Sequence, residues 1–271
     1  MDSRPLHSIS LIWRIALLVV LLGVSMAFLS PRTMLGRFGV QLSYDASHTL
    51  AGSDARVAET SEVVLVYLDM ESHLREKQSP SSPWDRSLHA RLIERLTRAG
   101  ARTIVFDIIF QDPGTEAVDS QLTAALQQSG RVILAAEIAR SSHEPGTSTG
   151  LRSQSLVLPL DRFLKAAAGI GLANVIPDED FVVRRAYEGS ASHQQPSLTE
   201  AVSRRLQLPA PTTPDSPAWI RYYGRPLALP HVSYSNALDP DGTPDEVFRD
   251  RIVFVGARPL TSGFTERRDE F

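Results

Sequence analysis

The stretch SSPWDRSLHARLIERLTRAGARTIVFDIIFQDP, Ser81–Pro113, passes from a turn through an amphipathic pattern into a continuous apolar run that carries one aspartate. Asp85 stands where a helix N-cap should accept backbone N–H groups. Leu88, Leu92, Leu96 and Ala99 then fall on one face, and Gly100 follows where a chain leaving a helix turns left-handed. The run Thr103–Phe110 does not alternate, which predicts a strand covered on both faces. A helix feeding a doubly covered strand is the building unit of a parallel α/β sheet.

Working outward, Val63–Asp69, Val132–Ile138 and Arg251–Ala257 read as three more buried strands. Helices are predicted over Asp119–Gln128, closed by Gly130, and over Leu160–Ala168, closed by Gly169. Ser197 with Glu200 forms a capping-box pattern ahead of Leu198, Val202 and Leu206, and Thr243, Pro244 and Glu246 repeat that signal before the last strand. The segments Ser141–Gly150 and Pro209–Pro217 are loops by composition. Alternating elements with right-handed crossovers imply an α/β fold with a mostly parallel sheet sandwiched by helices.

With 42% hydrophobic and 22% charged residues in 271, the chain can bury one or two sizeable cores. A net charge of -3 and scattered arginines give no field for nucleic acid, so that partner is set aside. Zero cysteines exclude a disulfide framework, a thiolate zinc site and a cysteine nucleophile.

Ile9–Leu29 supplies about twenty mostly apolar residues, enough to cross a ~30 Å hydrocarbon layer as a helix. Arg14 lies near one end, where its stem can snorkel to the interface beside Trp13. The rival reading is a signal peptide cleaved after Ser25–Ala27, although Phe28 and Leu29 continue the apolar run. Arg4 and Arg14 nearly balance Arg32 and Arg37, so charge orients the segment only weakly. Beyond it Met34, Phe38 and Leu42 recur at helical spacing. The expected organisation is a stub and transmembrane anchor over 1–30, a juxtamembrane amphipathic segment over 31–59, and a domain over 60–271.

Taken in order, VYLD, the PWDRSLHARLIERLTRAGARTIVFDIIF stretch, GLANVIPDEDFVVRRAY, QPSLTEAV, VSYSNAL and VFRDRIVFVGA resemble the CHASE type 2 domain, over roughly Thr60 to the end. The resemblance implies an extracytoplasmic sensory module of a bacterial receptor, held by one N-terminal transmembrane helix in the inner membrane. Further membrane helices and a cytoplasmic adenylate cyclase, histidine kinase or serine/threonine kinase would follow. The sequence stops at GARPLTSGFTERRDEF, before such elements, so the sensor is expected to be C-terminally incomplete and unable to signal alone. The expected partners are the membrane, an extracytoplasmic ligand or protein, and a second copy in a homodimer; no cofactor is expected.

Ligands of open parallel sheets sit at the carboxyl ends of strands. Asp69 ends the first strand, Trp84, Asp85 and Arg86 lie in the following loop, Asp107 follows a buried run, and Arg258 follows the last strand. One reading makes Asp69, Trp84, Arg86, Asp107 and Arg258 a polar ligand pocket with an aromatic wall. The other has the aspartates accept backbone N–H groups or pair with Arg86, with Trp84 packing between loop and helix. An α/β enzyme using Asp69 or Asp107 as acid or base is the alternative function, but no partner nucleophile accompanies them. The sequence has no G-x-S-x-G elbow, no P-loop lysine after Gly256, and no H-x-x-x-H among its histidines. The acidic PDEDF, Pro177–Phe181, reads as a turn rather than a calcium loop.

Overall fold

The computed structural model describes residues 13–14, 16–21, 33–51, 61–79, 82–141, 153–209, 218–223 and 227–258. Residues 13–14 and 16–21 are helical, while most of the expected span Ile9–Leu29 lies outside the described residues. Among the described residues no helix is long and apolar enough to cross a membrane. The chain divides into two compact units. In the first, α1 (Met34–Ala51) forms where the spacing of Phe38 and Leu42 predicts a helix, and both side chains are exposed. Its His48 ring tilts against Tyr44 and meets Tyr222 edge-on.

The second unit carries the sheet. Its elements are β1 (Val63–Leu68), α2 (Met70–Arg75), α3 (Arg86–Arg98), β2 (Thr103–Asp107), α4 (Glu116–Ser129) and β3 (Val132–Ser141). There follow β4 (Ser153–Val157), α5 (Asp161–Ala166), β5 (Gly169–Leu172), β6 (Gly189–Ser190), β7 (Gln195–Pro196) and α6 (Leu198–Arg205). After these come β8 (His231–Ser233), α7 (Tyr234–Leu238), a 3₁₀ turn at Asp245–Val247 and β9 (Ile252–Ala257). The seven-stranded sheet runs β4-β3-β2-β9-β1-β8, with β5 also on β3. Every pairing in it is parallel except β3 with β4.

The local signals act as expected. Asp85 Oδ1 accepts from Ser87 N at 2.9 Å, Ser197 Oγ accepts from Glu200 N at 3.1 Å, and Gly100 and Gly130 take φ of 82° and 59°. Two boundaries differ. α4 begins a turn earlier than Asp119, and the third predicted helix ends at Ala166, so Gly169 starts β5 instead of closing a helix. Gly171 explains why that short strand is glycine-rich: a Cβ there would sit 2.5 Å from Leu198 Cα, so only glycine lets β5 abut the start of α6.

One face of the sheet packs Val64, Val66, Phe106, Leu134 and Val255 against α3, α4, α5 and α7. The other face is closed by α6, whose Leu198, Ala201 and Val202 meet Val105, Ile133, Ala135 and Ile252. Coverage on both faces therefore holds for β2 and the first half of β3. In β1 it does not: Val64, Val66 and Leu68 are buried while Val63, Leu65 and Tyr67 are half-buried, because the short α6 reaches only part of that face.

Candidate functional site

At the carboxyl end of β1, Asp69 caps α2. Its Oδ1 accepts from Ser72 N at 2.9 Å, from Ser72 Oγ at 2.7 Å and from Ser233 Oγ at 3.0 Å. Burial alone pushes this carboxyl up, but the donated hydrogen bonds from Ser72 and Ser233 outweigh it and hold it below the usual range. The charge is thus spent on joining β1, α2 and the end of β8.

Trp84 is buried at 3% exposure, and its Nε1 donates to His73 Nδ1 at 3.2 Å. Its ring meets Tyr234 edge-on at 5.0 Å and lies nearly parallel to His89. It packs between loop and helix. Arg86 is turned onto Asp119 at 2.5 Å and the carbonyl of Asp112, with its guanidinium 5.3 Å from the Phe163 ring centroid. Here the guanidinium pins the start of α3 to α4.

Asp107 is the last residue of β2 and is exposed, not enclosed by the apolar run that precedes it. It lies in register with Gly256, which is in register with Tyr67 on the far side. A Cβ at Gly256 would stand 3.3 Å from Asp107 Cβ, so the missing side chain makes room for the aspartate. Burial raises the Tyr67 phenol, against the opposing charge of Arg258. Arg258 itself is exposed, and its backbone N–H donates to Leu68 O at 3.3 Å. Asp69, Asp107 and Arg258 thus share the carboxyl edge of the sheet, whereas Trp84 and Arg86 are committed to the core and to α4.

A cavity opens farther along the same edge, where β5 stops at Leu172. Beyond that point the Asn174 side chain takes the place of a neighbouring strand: its Oδ1 accepts from Ile138 N at 2.8 Å and its Nδ2 donates to Ile138 O at 3.2 Å. The space left measures about 380 Å³ and is lined by Glu137, Gln154, Asn174, Tyr187 and Ser190, with Val175 and Ile176 as an apolar wall. Glu137 is its one carboxylate, and no lysine or arginine lines it among the described residues. That donor set suits a small polar molecule, neutral or positively charged. The sequence reading passed over Glu137, although it ends the apolar VILAA run much as Asp107 ends TIVF. Asn174 and Tyr187 had no such signal, because their role depends on where β5 stops.

Asp178 and Asp180 both pair with Arg184, so the acidic turn carries its own cation. No metal-binding cluster occurs among the described residues.

The sequence model of the CHASE2 domain matches residues 15–267, nearly the whole chain. No curated protein and no solved structure matches it. The chain belongs to the CHASE2 domain family, whose domains are extracytoplasmic sensory modules.

Proposed function

We propose that this chain is the membrane-anchored sensor portion of a bacterial signalling receptor, that it catalyses no reaction itself, and that it takes up a small ammonium- or hydroxyl-bearing molecule beside Glu137. The observation that carries the ligand reading is the cavity at the carboxyl ends of β3 and β5, the edge at which parallel sheets bind ligands. Its wall residues Val175 and Ile176 lead directly into the segment that holds Asp178 and Arg184, so occupancy would act on that segment. The exposed Asp107 and Arg258 add a charged margin along the same edge.

Anchoring rests on the apolar length of Ile9–Leu29 and on family membership, with the N-terminus inside the cell and the domain facing the periplasm or exterior. The enzyme alternative is weakened by Asp69, whose carboxyl is held low by the hydrogen bonds that Ser72 and Ser233 donate to it, whereas an acid–base group in a cleft is expected to be raised toward neutrality.

The ligand reading is tested by calorimetry on the full chain in detergent with ethanolamine and putrescine as probes and glycerol as a neutral one. Binding that weakens at least about tenfold in Glu137→Gln supports it. Absence of binding by all three, or equal binding by the variant, refutes it. Anchoring is tested separately: a phosphatase reporter fused after Ser30 should be active outside the cytoplasm, and activity confined to the cytoplasm would overturn the topology.

A further inference from the structure

The first unit turns the polar side of α1 inward. Gln41, Tyr44, Asp45 and His48 are half-buried, with the His48 ring against Tyr44 and Tyr222, while Phe38, Leu42, Ala46 and Leu50 are exposed. Those four recur at every fourth residue and so form one apolar row along the helix, in which Leu50 is 86% exposed. The row carries no charge. Thr49, the hydroxyl residue beside it, donates its Oγ1 proton back to Asp45 O at 2.8 Å, so that donor is already satisfied within the helix. A surface helix of a globular protein buries such a row and wets its polar side. Here the protein covers the polar side, and the apolar side is left to something else.

What covers it is narrowed by the rest of the same unit, where Leu17, Leu18, Val19, Val20 and Leu21 are helical and each more than half exposed. Five successive residues point to every side of a helix, and a helix apolar all round is made for a core or for lipid. Thr33 stands four residues beyond Leu29, at most ~14 Å of extended chain, so a spanning Ile9–Leu29 holds the start of α1 at headgroup level. Thr33 also starts the helix afresh: its Oγ1 accepts from Gly36 N and its carbonyl from Arg37 N, each at 3.0 Å. With Pro31 just ahead in the sequence, α1 is not a straight continuation of the anchor and is free to turn along the membrane. A second copy fits less well, because three large side chains by themselves fall short of the ~1,200 Å² at which stable protein interfaces begin. We infer that α1 lies flat on the bilayer face where the anchor emerges, with Phe38, Leu42 and Leu50 sunk to the acyl boundary and the exposed Arg37 among the phosphates. The inference rests on the anchoring of Ile9–Leu29 and is independent of what the Glu137 cavity binds.

The absence of cysteine makes the test direct, because every introduced thiol is unique. Full-length Leu18→Cys, Phe38→Cys, Ser47→Cys and Leu50→Cys chains are each spin-labelled and reconstituted in vesicles of phosphatidylethanolamine and phosphatidylglycerol. Collision with oxygen, which enters lipid, is then compared with collision with a water-soluble nickel chelate. Labels at Phe38 and Leu50 should both lie about 5–10 Å below the phosphates. The label at Ser47, on the opposite side of the helix from Phe38, should meet the chelate, and the label at Leu18 should lie in the hydrocarbon. Leu50 decides the tilt, since it is about 18 Å along the helix from Phe38 and would stand in water if α1 rose off the membrane. A Leu50 label in water with the Leu18 label in lipid overturns the inference and leaves the anchor standing; a Leu18 label in water overturns both. Labels at Phe38 and Leu50 that avoid both quenchers and broaden one another until diluted with unlabelled chain would replace lipid with a second copy.

Discussion

Arg86 at the first turn of α3 and Asp119 in the first turns of α4 form an ion pair at 2.5 Å, with side chains 12% and 4% exposed. Asp119 Oδ2 also accepts from Gly114 N at 3.0 Å, so the pair ties both helices to the loop that leaves β2. A removed arginine would strand a buried carboxylate. Arg86→Ala is expected to cost about 3–5 kcal/mol, and Arg86→Met with Asp119→Leu much less, since the double change leaves no orphan charge. Chemical denaturation of the single and double variants checks this; equal losses in both would show that packing and not charge dominates.

At Gly171 the neighbours of an added Cβ are backbone atoms, Leu198 Cα at 2.5 Å and Ser197 O at 2.7 Å. Backbone cannot swing aside as a flexible side chain can. Gly171→Ala should therefore separate β5 from α6 and destabilise by about 1–3 kcal/mol, although alanine is the smallest addition. Unchanged stability, with unchanged hydrogen exchange in residues 169–172, would contradict the packing.

His89 is fully buried, shares a hydrogen bond with the Tyr234 hydroxyl at 2.9 Å, and meets Phe106 and Phe110 edge-on. Burial, reinforced by the Arg86 charge, pushes it from 6.5 down to about 3. The unfolded histidine takes up its proton near pH 6.5 and the folded one only near 3, so protonation favours unfolding. Stability should be full above pH 6.5 and fall as pH drops toward 3, by up to about 1.4 kcal/mol per unit. Asp69 and Glu116, both lowered, add their own loss only at more acidic pH. Melting between pH 7 and 5 should show the decline in the parent and a flatter profile in His89→Gln, which keeps a polar partner for Tyr234.

A charge at the end of an apolar run reads from sequence as a buried aspartate whose loss would cost 1–3 kcal/mol through unpaired donors. The structure exposes Asp107 at the end of β2, where water can replace what its carboxylate gives up, so Asp107→Ala is expected to cost no more than about 1 kcal/mol. A thermal shift comparable to that of Arg86→Ala would restore the buried reading.

The strands, the capped helices and the parallel character of the sheet were legible in the sequence because they depend on neighbours a few residues apart. Asp85, Ser197, Gly100 and Gly130 act on backbone groups within their own turn, and the apolar runs at β1, β2, β3 and β9 need burial whatever their order. The order of those strands was not legible. β9 slips between β1 and β2, and this long-range pairing is what sets Gly256 between Tyr67 and Asp107. It was likewise the tertiary packing that decided which charges are spent internally: Arg86 finds Asp119 33 positions away, and Arg184 disappears beneath the turn it holds. The Glu137 cavity exists because β5 ends early and Asn174 replaces it against Ile138, a contact across 36 positions. Local chemistry sets the caps and the apolar runs; only the fold brings distant side chains within the few ångströms at which hydrogen bonds and ion pairs act.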